Sequence, residues 1–201
     1  MGEDQVVAGF DLLGIQYEPV MVDYFSQGQK QPEYLAINPN AELPALVDGD
    51  FTLWESNAIL QYAADKFGPV SAYPQEPKIR ADINRWHLWE AGKWSPACYV
   101  YLVENVVKPL TGSAADVAIL QAHAPTFHRL AEILQNSLVG KTWLCGVDVS
   151  LADIAIAAPM HLHPHQKMPL ESYPDLQSWM ARIEALPCWQ RSDPSALLGL
   201  D

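Results

Sequence analysis

The sequence predicts an α/β domain over residues 1–68 followed by an all-helical domain over residues 78–201. Three observations carry this division. Two short runs of strand-forming residues, Ala45-Leu46-Val47 and Phe51-Thr52-Leu53-Trp54, flank Asp48-Gly49 and lead directly into a helical pattern. Three prolines between Gly68 and Pro77, with no periodicity, mark residues 69–77 as a linker. Beyond the linker, apolar residues recur only at helical spacing.

Taken in order, Val6, Phe10 and Leu13 share one face of a helix over 5–14, and Gly14 stands at its C′ position. Tyr17 to Asp23 reads as a strand despite Pro19, and Gln31 to Ile37 as a second, short helix. In the hairpin, Asp48-Gly49 supplies the positive φ angles of a two-residue turn. Ile59, Leu60, Ala63 and Phe67 then fall at helical spacing, Ser56 sits where a cap is wanted, and Gly68-Pro69 stops the helix. The resulting order is α-β-α-β-β-α.

In the second half, Arg80 to Val107 predicts a long, aromatic-rich helix, with Pro96 a kink or break and Pro109 its end. Leu120, Ala124, Phe127, Ala131, Leu134 and Leu138 keep a 4-3-4-3-4 spacing up to Gly140, with Pro125 inside it. Ser150-Leu151-Ala152-Asp153 is a capping box with Asp at N3, flanked by Val149 and Ile154 as a hydrophobic staple; its work is folding. A last helix opens at Tyr173-Pro174 and buries Leu176, Trp179 and Ile183, and residues 186–189 close the domain.

A chain of 201 residues, 49% hydrophobic, buries a sizeable core. Its formal charge of −12 argues against nucleic acid and anionic membrane as partners. No stretch is long and apolar enough to span a bilayer, and no leader pattern opens the sequence. Cys98, Cys145 and Cys188 are odd in number, widely spaced and without a CxxC, the pattern of reduced thiols in a cytoplasmic protein.

The candidate site lies in residues 38–67. Pro44 opens the first hairpin strand, where proline marks an edge, a bulge or a cis turn, and a cis bond would turn the Leu43 N–H and C=O towards an extended ligand. Glu55-Ser56 occupies the first turn of the following helix, where backbone N–H groups and the dipole favour an anion. A carboxylate beside those donors would hold an ammonium. Together they would clamp an amino-acid headgroup at one end and a peptide bond at the other. The plainer reading, a helix start with a favourable charge, covers Glu55-Ser56 alone but not its fixed offset from Leu43-Pro44. Asn57 reads as decoration of the first turn.

The string NPNAELPALVDGDFTLWESNAILQYAADKF closely resembles the glutathione-binding half of the cytosolic glutathione transferases. The resemblance implies that Leu43, before Pro44, pairs with the cysteinyl backbone of glutathione, and that Glu55 and Ser56 hold its γ-glutamyl end. It implies glutathione as co-substrate, thiolate attack on a small hydrophobic electrophile, a cytoplasmic homodimer and a part in detoxification. The order of elements then reads as a thioredoxin-like domain lacking its first strand, followed by the family's helical domain. In the family that strand lies between those matching Tyr17–Asp23 and Ala45–Val47, and its loop carries the Tyr, Ser or Cys that activates the thiol. Only Met1 to Asp4 precede the first helix here, so the catalytic residue is unknown. The expectation is that the two flanking strands close up, leave a gap or accept another chain. Two alternatives follow: a start upstream of Met1, or a non-catalytic transferase-fold binding or interaction module.

The resemblance also makes the first long helix a wall of the second-substrate pocket, with Trp94 and Tyr99 as candidate lining. The box Ser150 to Asp153 matches one that the family carries at a buried helix start. Two other features read as structural. His161, His163 and His165 alternate around Pro164, share no helix face and have no completing carboxylate or cysteine, so a solvated segment and no metal site are expected. Cys98 has only Lys93 as a nearby base and reads as a buried, inert thiol.

Overall fold

The structure, a computed structural model, describes residues 2–24, 26–68 and 71–200. Met1, Pro69 and Val70, placed by the sequence at the chain start, the helix stop and the linker, lie outside them. Helix α1 runs Gly2–Leu13, earlier in start than the apolar pattern, because Glu3 and Asp4 fill its first turn and complement the positive helix end. Gly14, at φ 69, ends it.

Tyr17 to Asp23 does not form the expected strand. A strand is held by a neighbour's ladder, and among the described residues the only sheet has two strands, which pair with each other and not with this segment. Instead the Tyr17 ring packs edge-on against Phe10 at 5.3 Å, while Val20 and Met21 are each 80% exposed. After a 3₁₀ turn at Gly28–Lys30, the expected helix over 31–37 shrinks to the single turn α2, Pro32–Leu35, with Pro32 at its start. The loop beyond is held by its own polar groups. The Glu42 carbonyl accepts from Tyr34 Oη at 2.7 Å and from Asn38 Nδ2 at 2.8 Å, just before Leu43.

Strand β1, Ala45–Asp48, pairs antiparallel with β2, Phe51–Trp54, in the register Ala45↔Trp54 to Asp48↔Phe51. The turn is therefore Gly49-Asp50, one residue later than the expected Asp48-Gly49. Gly49 carries the positive φ of 66 at the first turn position. Asp48 stays in the ladder because its carboxylate receives Tyr62 Oη at 2.7 Å and Lys66 Nζ at 2.5 Å from the next helix, α3, Ser56–Phe67.

Three helices, α4 (Pro77–Trp89), α5 (Ser95–Leu102) and α6 (Lys108–Leu110), form one unbroken rod joined by π-helical turns at Glu90–Trp94 and Val103–Val107. At Pro96, where the sequence suggests a kink or break, the helix is interrupted by a π turn but not ended, and as expected it ends at Pro109, within one residue, at Leu110. Each proline follows two residues after a π turn. The widened turn relieves the clash of the pyrrolidine ring with the preceding carbonyls. Helix α7, Val117–Leu138, is likewise unbroken at Pro125. Asp116 caps it through Ala118 N at 2.9 Å, and its apolar face (Phe127, Leu130, Ala131, Leu134, Leu138) is buried. Burying five such side chains outweighs the roughly 3 kcal/mol cost of one proline.

Helix α8, Leu151–Ala157, lies wholly in the core, and α9 (His163–Gln166), α10 (Pro174–Glu184), α11 (Pro187–Arg191) and α12 (Ser195–Leu198) complete the chain. One hydrophobic cluster contains Phe10, Leu13, Ile59 and Leu60 together with Trp86, Trp94, Leu151 and Trp179. The proline-rich stretch is packed as well: Ala72 and Tyr73 are buried, and the Ala72 carbonyl accepts from Leu151 N at 3.0 Å. Where α1 crosses α3, a Cβ on Gly9 would fall 2.4 Å from Leu60 Cδ2, so only glycine permits this approach. Gln5 is one turn before Gly9 and Ser56 one turn before Leu60, so the same crossing brings Gln5 to Ser56.

Candidate functional site

The site forms where α1, the β1 entry, α3 and the first π turn converge. The Leu43–Pro44 peptide is cis. The start of α1 abuts it: a Cβ on Gly2 would lie 2.7 Å from Pro44 Cδ and 3.3 Å from the Leu43 carbonyl oxygen. Among the described residues, the Leu43 N–H and C=O take no backbone partner.

Glu55 joins β2 to α3 with φ 72 and ψ 113, outside the regions a non-glycine residue ordinarily occupies. Such outliers persist where the surrounding structure holds them, and they concentrate at ligand sites. Glu55, not Ser56, is the N-cap residue, and its exposed side chain makes no capping bond. Ser56 is the first helical residue, so its hydroxyl is not spent on its own helix. It donates to Gln5 Oε1 at 2.8 Å. Gln5 Nε2 donates to Asn57 Oδ1 at 2.7 Å, and Asn57 Nδ2 donates to Glu90 Oε2 at 2.8 Å and to the His87 carbonyl at 3.2 Å.

This relay is dry. Gln5, His87 and Glu90 are each at most 5% exposed. Burial pushes the Glu90 carboxyl up to about 7; the charge of Glu55 adds to the rise, while hydrogen bonds from Asn57 and Ser95 oppose it. Burial pushes the His87 imidazole down to about 4, and its Nδ1 lies 2.7 Å from Gln61 Nε2. Among the described residues, an exposed carboxylate and the N–H groups of a helix start, which lack an intrahelical partner, thus lie against α1, whose own start abuts a Leu43 main chain that takes no backbone partner. Those are the groups that hold an ammonium, a carboxylate and an extended peptide.

Trp94 is not a pocket wall. It has no exposed surface, stacks between Trp89 at 5.8 Å and Phe127 at 5.4 Å, and donates from Nε1 to the Ile156 carbonyl at 3.0 Å. Helical phase around the π turn carries it into the core. Tyr99 is 52% exposed on α5. Cys98 is fully buried and its thiol is raised well above the ordinary range by burial. At the start of α8, the Asp153 carboxylate accepts from Ser150 N and Leu144 N, each at 2.9 Å, from Ser150 Oγ at 2.7 Å and from Trp179 Nε1 at 2.9 Å.

His161 departs from the expected solvated segment: it is largely buried, stacks on Trp189 at 4.0 Å and is pushed down to about 4 by burial. His163 instead pairs with Glu184 at 2.8 Å. Among the described residues, no three His, Cys, Asp or Glu side chains gather as a metal site would need. Gln5, Asn57 and Glu90 are the site members that sequence reasoning missed. Their one sequence signal is polarity out of place: Gln5 one turn before a helix-packing glycine, and Glu90 between Trp89 and Trp94.

An α/β half with this edge and helix start, packed on an all-helical half, defines a thioredoxin-like fold extended by a helical domain. The glutathione S-transferase N-terminal domain family matches residues 6–65, and the corresponding C-terminal domain family matches residues 103–187. Glutathione S-transferase 3 of Zea mays is 30% identical over 184 residues, covering 89% of this chain and 82% of the relative. The Disulfide-bond oxidoreductase YfcG of Escherichia coli is 31% identical over 192 residues, covering 92% and 86%. Among solved structures, the theta class glutathione S-transferase of Xanthomonas axonopodis pv. citri with glutathione bound superposes with a TM-score of 0.85 at 29% identity, covering 96% of this chain and 91% of that one. The chain belongs to the glutathione S-transferase family.

Proposed function

We propose that this protein binds glutathione and promotes attack of its thiolate on a small hydrophobic electrophile. The observation that carries the reading is Glu55, an exposed carboxylate held at positive φ at the very start of α3. Glu55 takes the γ-glutamyl ammonium, the first-turn N–H groups of α3 take its carboxylate, and Leu43 pairs with the cysteinyl backbone. The N-terminus of α1 lies at Leu43-Pro44, so its positive end contributes to lowering the thiol from about 8.5 towards neutrality. Tyr99 is the proposed contact for the electrophile. The chain acts in the cytoplasm, in detoxification, as a homodimer. Exposed Phe51 and Trp54 on β2 and Leu88 on α4 are apolar surface for that pairing.

Titration calorimetry with glutathione tests the site. Glu55→Ala should weaken binding by roughly 1.5–3 kcal/mol, the range for a hydrogen bond to a charged group. Unchanged affinity would reduce Glu55 to a helix-start residue. Sedimentation equilibrium tests the homodimer, with a monomer at micromolar concentration counting against it.

A further inference from the structure

We propose that the buried aromatic chain from Trp89 to Tyr173 conducts single electrons. An oxidising equivalent that strikes the partly exposed Trp89 is drawn inward and comes to rest on Tyr173, whose proton passes to His128. The conduit uses none of the groups that hold the ligand and is an activity of the helical half alone.

The rings lie close enough to exchange an electron. Trp89 stacks on Trp94 at 5.8 Å and Trp94 on Phe127 at 5.4 Å, with interplanar angles of 18° and 27°. From Phe127 the chain continues to His128 at 5.9 Å, and from His128 to Tyr173 at 6.0 Å. Trp94 and Phe127 have no exposed surface, so water does not interrupt the path. Indole and phenol give up one electron more readily than any other side chain whose thiol rivals stay protonated. Burial keeps the Cys98 thiol in that state.

Proton acceptors give the chain its direction. An oxidised indole or phenol is a strong acid, so the oxidising equivalent settles where a base can take the proton. Trp86, edge-on to Trp89 at 5.3 Å, has an Nε1–H without a partner. The Arg85 guanidinium lies 4.8 Å above its ring, and that charge opposes a radical cation there. Trp94 Nε1 donates to the Ile156 carbonyl, which is no base. Tyr101, edge-on to Phe127 at 4.9 Å, meets the His123 ring only edge-on at 6.2 Å, and His123 commits Nε2 to the Ala97 carbonyl. Of these rings only Tyr173 has a base in contact, with its Oη 2.7 Å from His128 Nδ1. The His128 carbonyl, 3.2 Å from Oη, already accepts within α7, so the phenolic proton belongs to Nδ1. His128 is exposed and can pass the proton on to water.

A one-electron oxidant takes an electron from the Trp89 indole. Trp94 refills Trp89, and Tyr173 refills Trp94 across Phe127, which bridges the gap and is never oxidised. The phenolic proton moves from Oη to Nδ1. The products are the reduced oxidant, a neutral tyrosyl radical and an imidazolium ion, with no atom gained or lost.

Flash photolysis of the full chain tests this, with photogenerated tris-bipyridyl ruthenium(III) as the oxidant. Indolyl absorption should give way to tyrosyl absorption in a phase whose rate does not depend on protein concentration. Tyr173→Phe and Trp94→Phe should each abolish that phase. Tyr101→Phe should leave it, and so should Trp54→Phe, which removes an exposed indole off the chain. His128→Gln keeps an acceptor but no base, so it should slow the phase and remove the slowing that wild type shows in heavy water. Absence of the phase from wild type overturns the proposal, as does its survival in Tyr173→Phe or its loss in Tyr101→Phe or Trp54→Phe. An unchanged rate and isotope effect in His128→Gln overturns the proton transfer, and with it the choice of Tyr173. Should Trp94→Phe not fold, Tyr173→Phe and His128→Gln, at the far end of the chain, decide the matter.

Discussion

Replacing Glu90 by Gln keeps the shape of a buried side chain and removes its titration, so its effect on stability is set by one proton. Glu90 is 5% exposed, faces Asn57 and Ser95 as donors, and lies within the influence of Glu55 and Cys98. Burial raises its carboxyl from 4.5 to about 7. The folded value lies above the unfolded one, so the native state holds a proton that the unfolded chain has released. Stability from this group is complete below about 4.5 and is lost as the pH rises to about 7. At 1.36 kcal/mol per pKa unit the whole loss comes to roughly 3 kcal/mol. Glu90→Gln does not titrate, and its amide oxygen can still accept from Asn57. Its stability relative to wild type should therefore grow by roughly 2–3 kcal/mol between pH 5 and pH 8. Urea denaturation followed by circular dichroism at several pH values measures this, and the difference between the two proteins cancels every other titrating group. A difference that stays constant from pH 5 to pH 8 would refute the reasoning, because it would mean that Glu90 is ionised throughout in the folded state.

Two further changes probe the frame around the site. Asp153→Ala strips the acceptor from the buried Leu144 N–H and Trp179 Nε1, at about 1–3 kcal/mol each, and should lower the melting temperature while folded molecules keep their glutathione affinity. Loss of binding at an unchanged melting temperature would tie this box to the ligand. Gly9→Ala puts a methyl 2.4 Å from Leu60 Cδ2 and should destabilise by about 1–3 kcal/mol; a neutral result in chemical denaturation would show that α1 and α3 can part without cost.

What was legible in the sequence was local. The hairpin, α3, the apolar face of α7 and the box at α8 each rest on residues within a few positions of one another. Even there a distant partner shifts the outcome: Asp48 stays in the ladder because Tyr62 and Lys66 take its carboxylate, and the turn moves by one residue. Tyr17 to Asp23 carries strand residues, yet a strand exists only through a neighbour's hydrogen bonds, which no local pattern records. Of the candidate site, the cis Leu43–Pro44 peptide and the helix start at Glu55 and Ser56 were readable because turn, proline and helix start are neighbours in the chain. Gln5 and Glu90 were not. Their contacts with Ser56 and Asn57 span 51 and 33 residues, and the first depends on a helix crossing set by one glycine. Trp94 was misplaced for a related reason: the resemblance marks the helix as a wall without saying which of its rings face outward, and the π turn sets the phase that buries Trp94.

That last error has a consequence of its own. A π turn is a helix with one residue too many, and each surplus residue swings everything after it by about 100° relative to an uninterrupted helix. The rod from α4 to α6 holds two of them, so its three segments run in three different rotational phases. Excising one residue from Val103–Val107 would relax a single phase and rotate α6 alone. Excising one from between Glu90 and Trp94 would rotate everything beyond it, withdraw Trp94 from its slot between Trp89 and Phe127, and carry the Ser95 donor away from the Glu90 carboxyl. The aromatic core and the polar relay are therefore joined by a counting constraint: in this stretch substitutions can be absorbed one side chain at a time, but a change in length cannot.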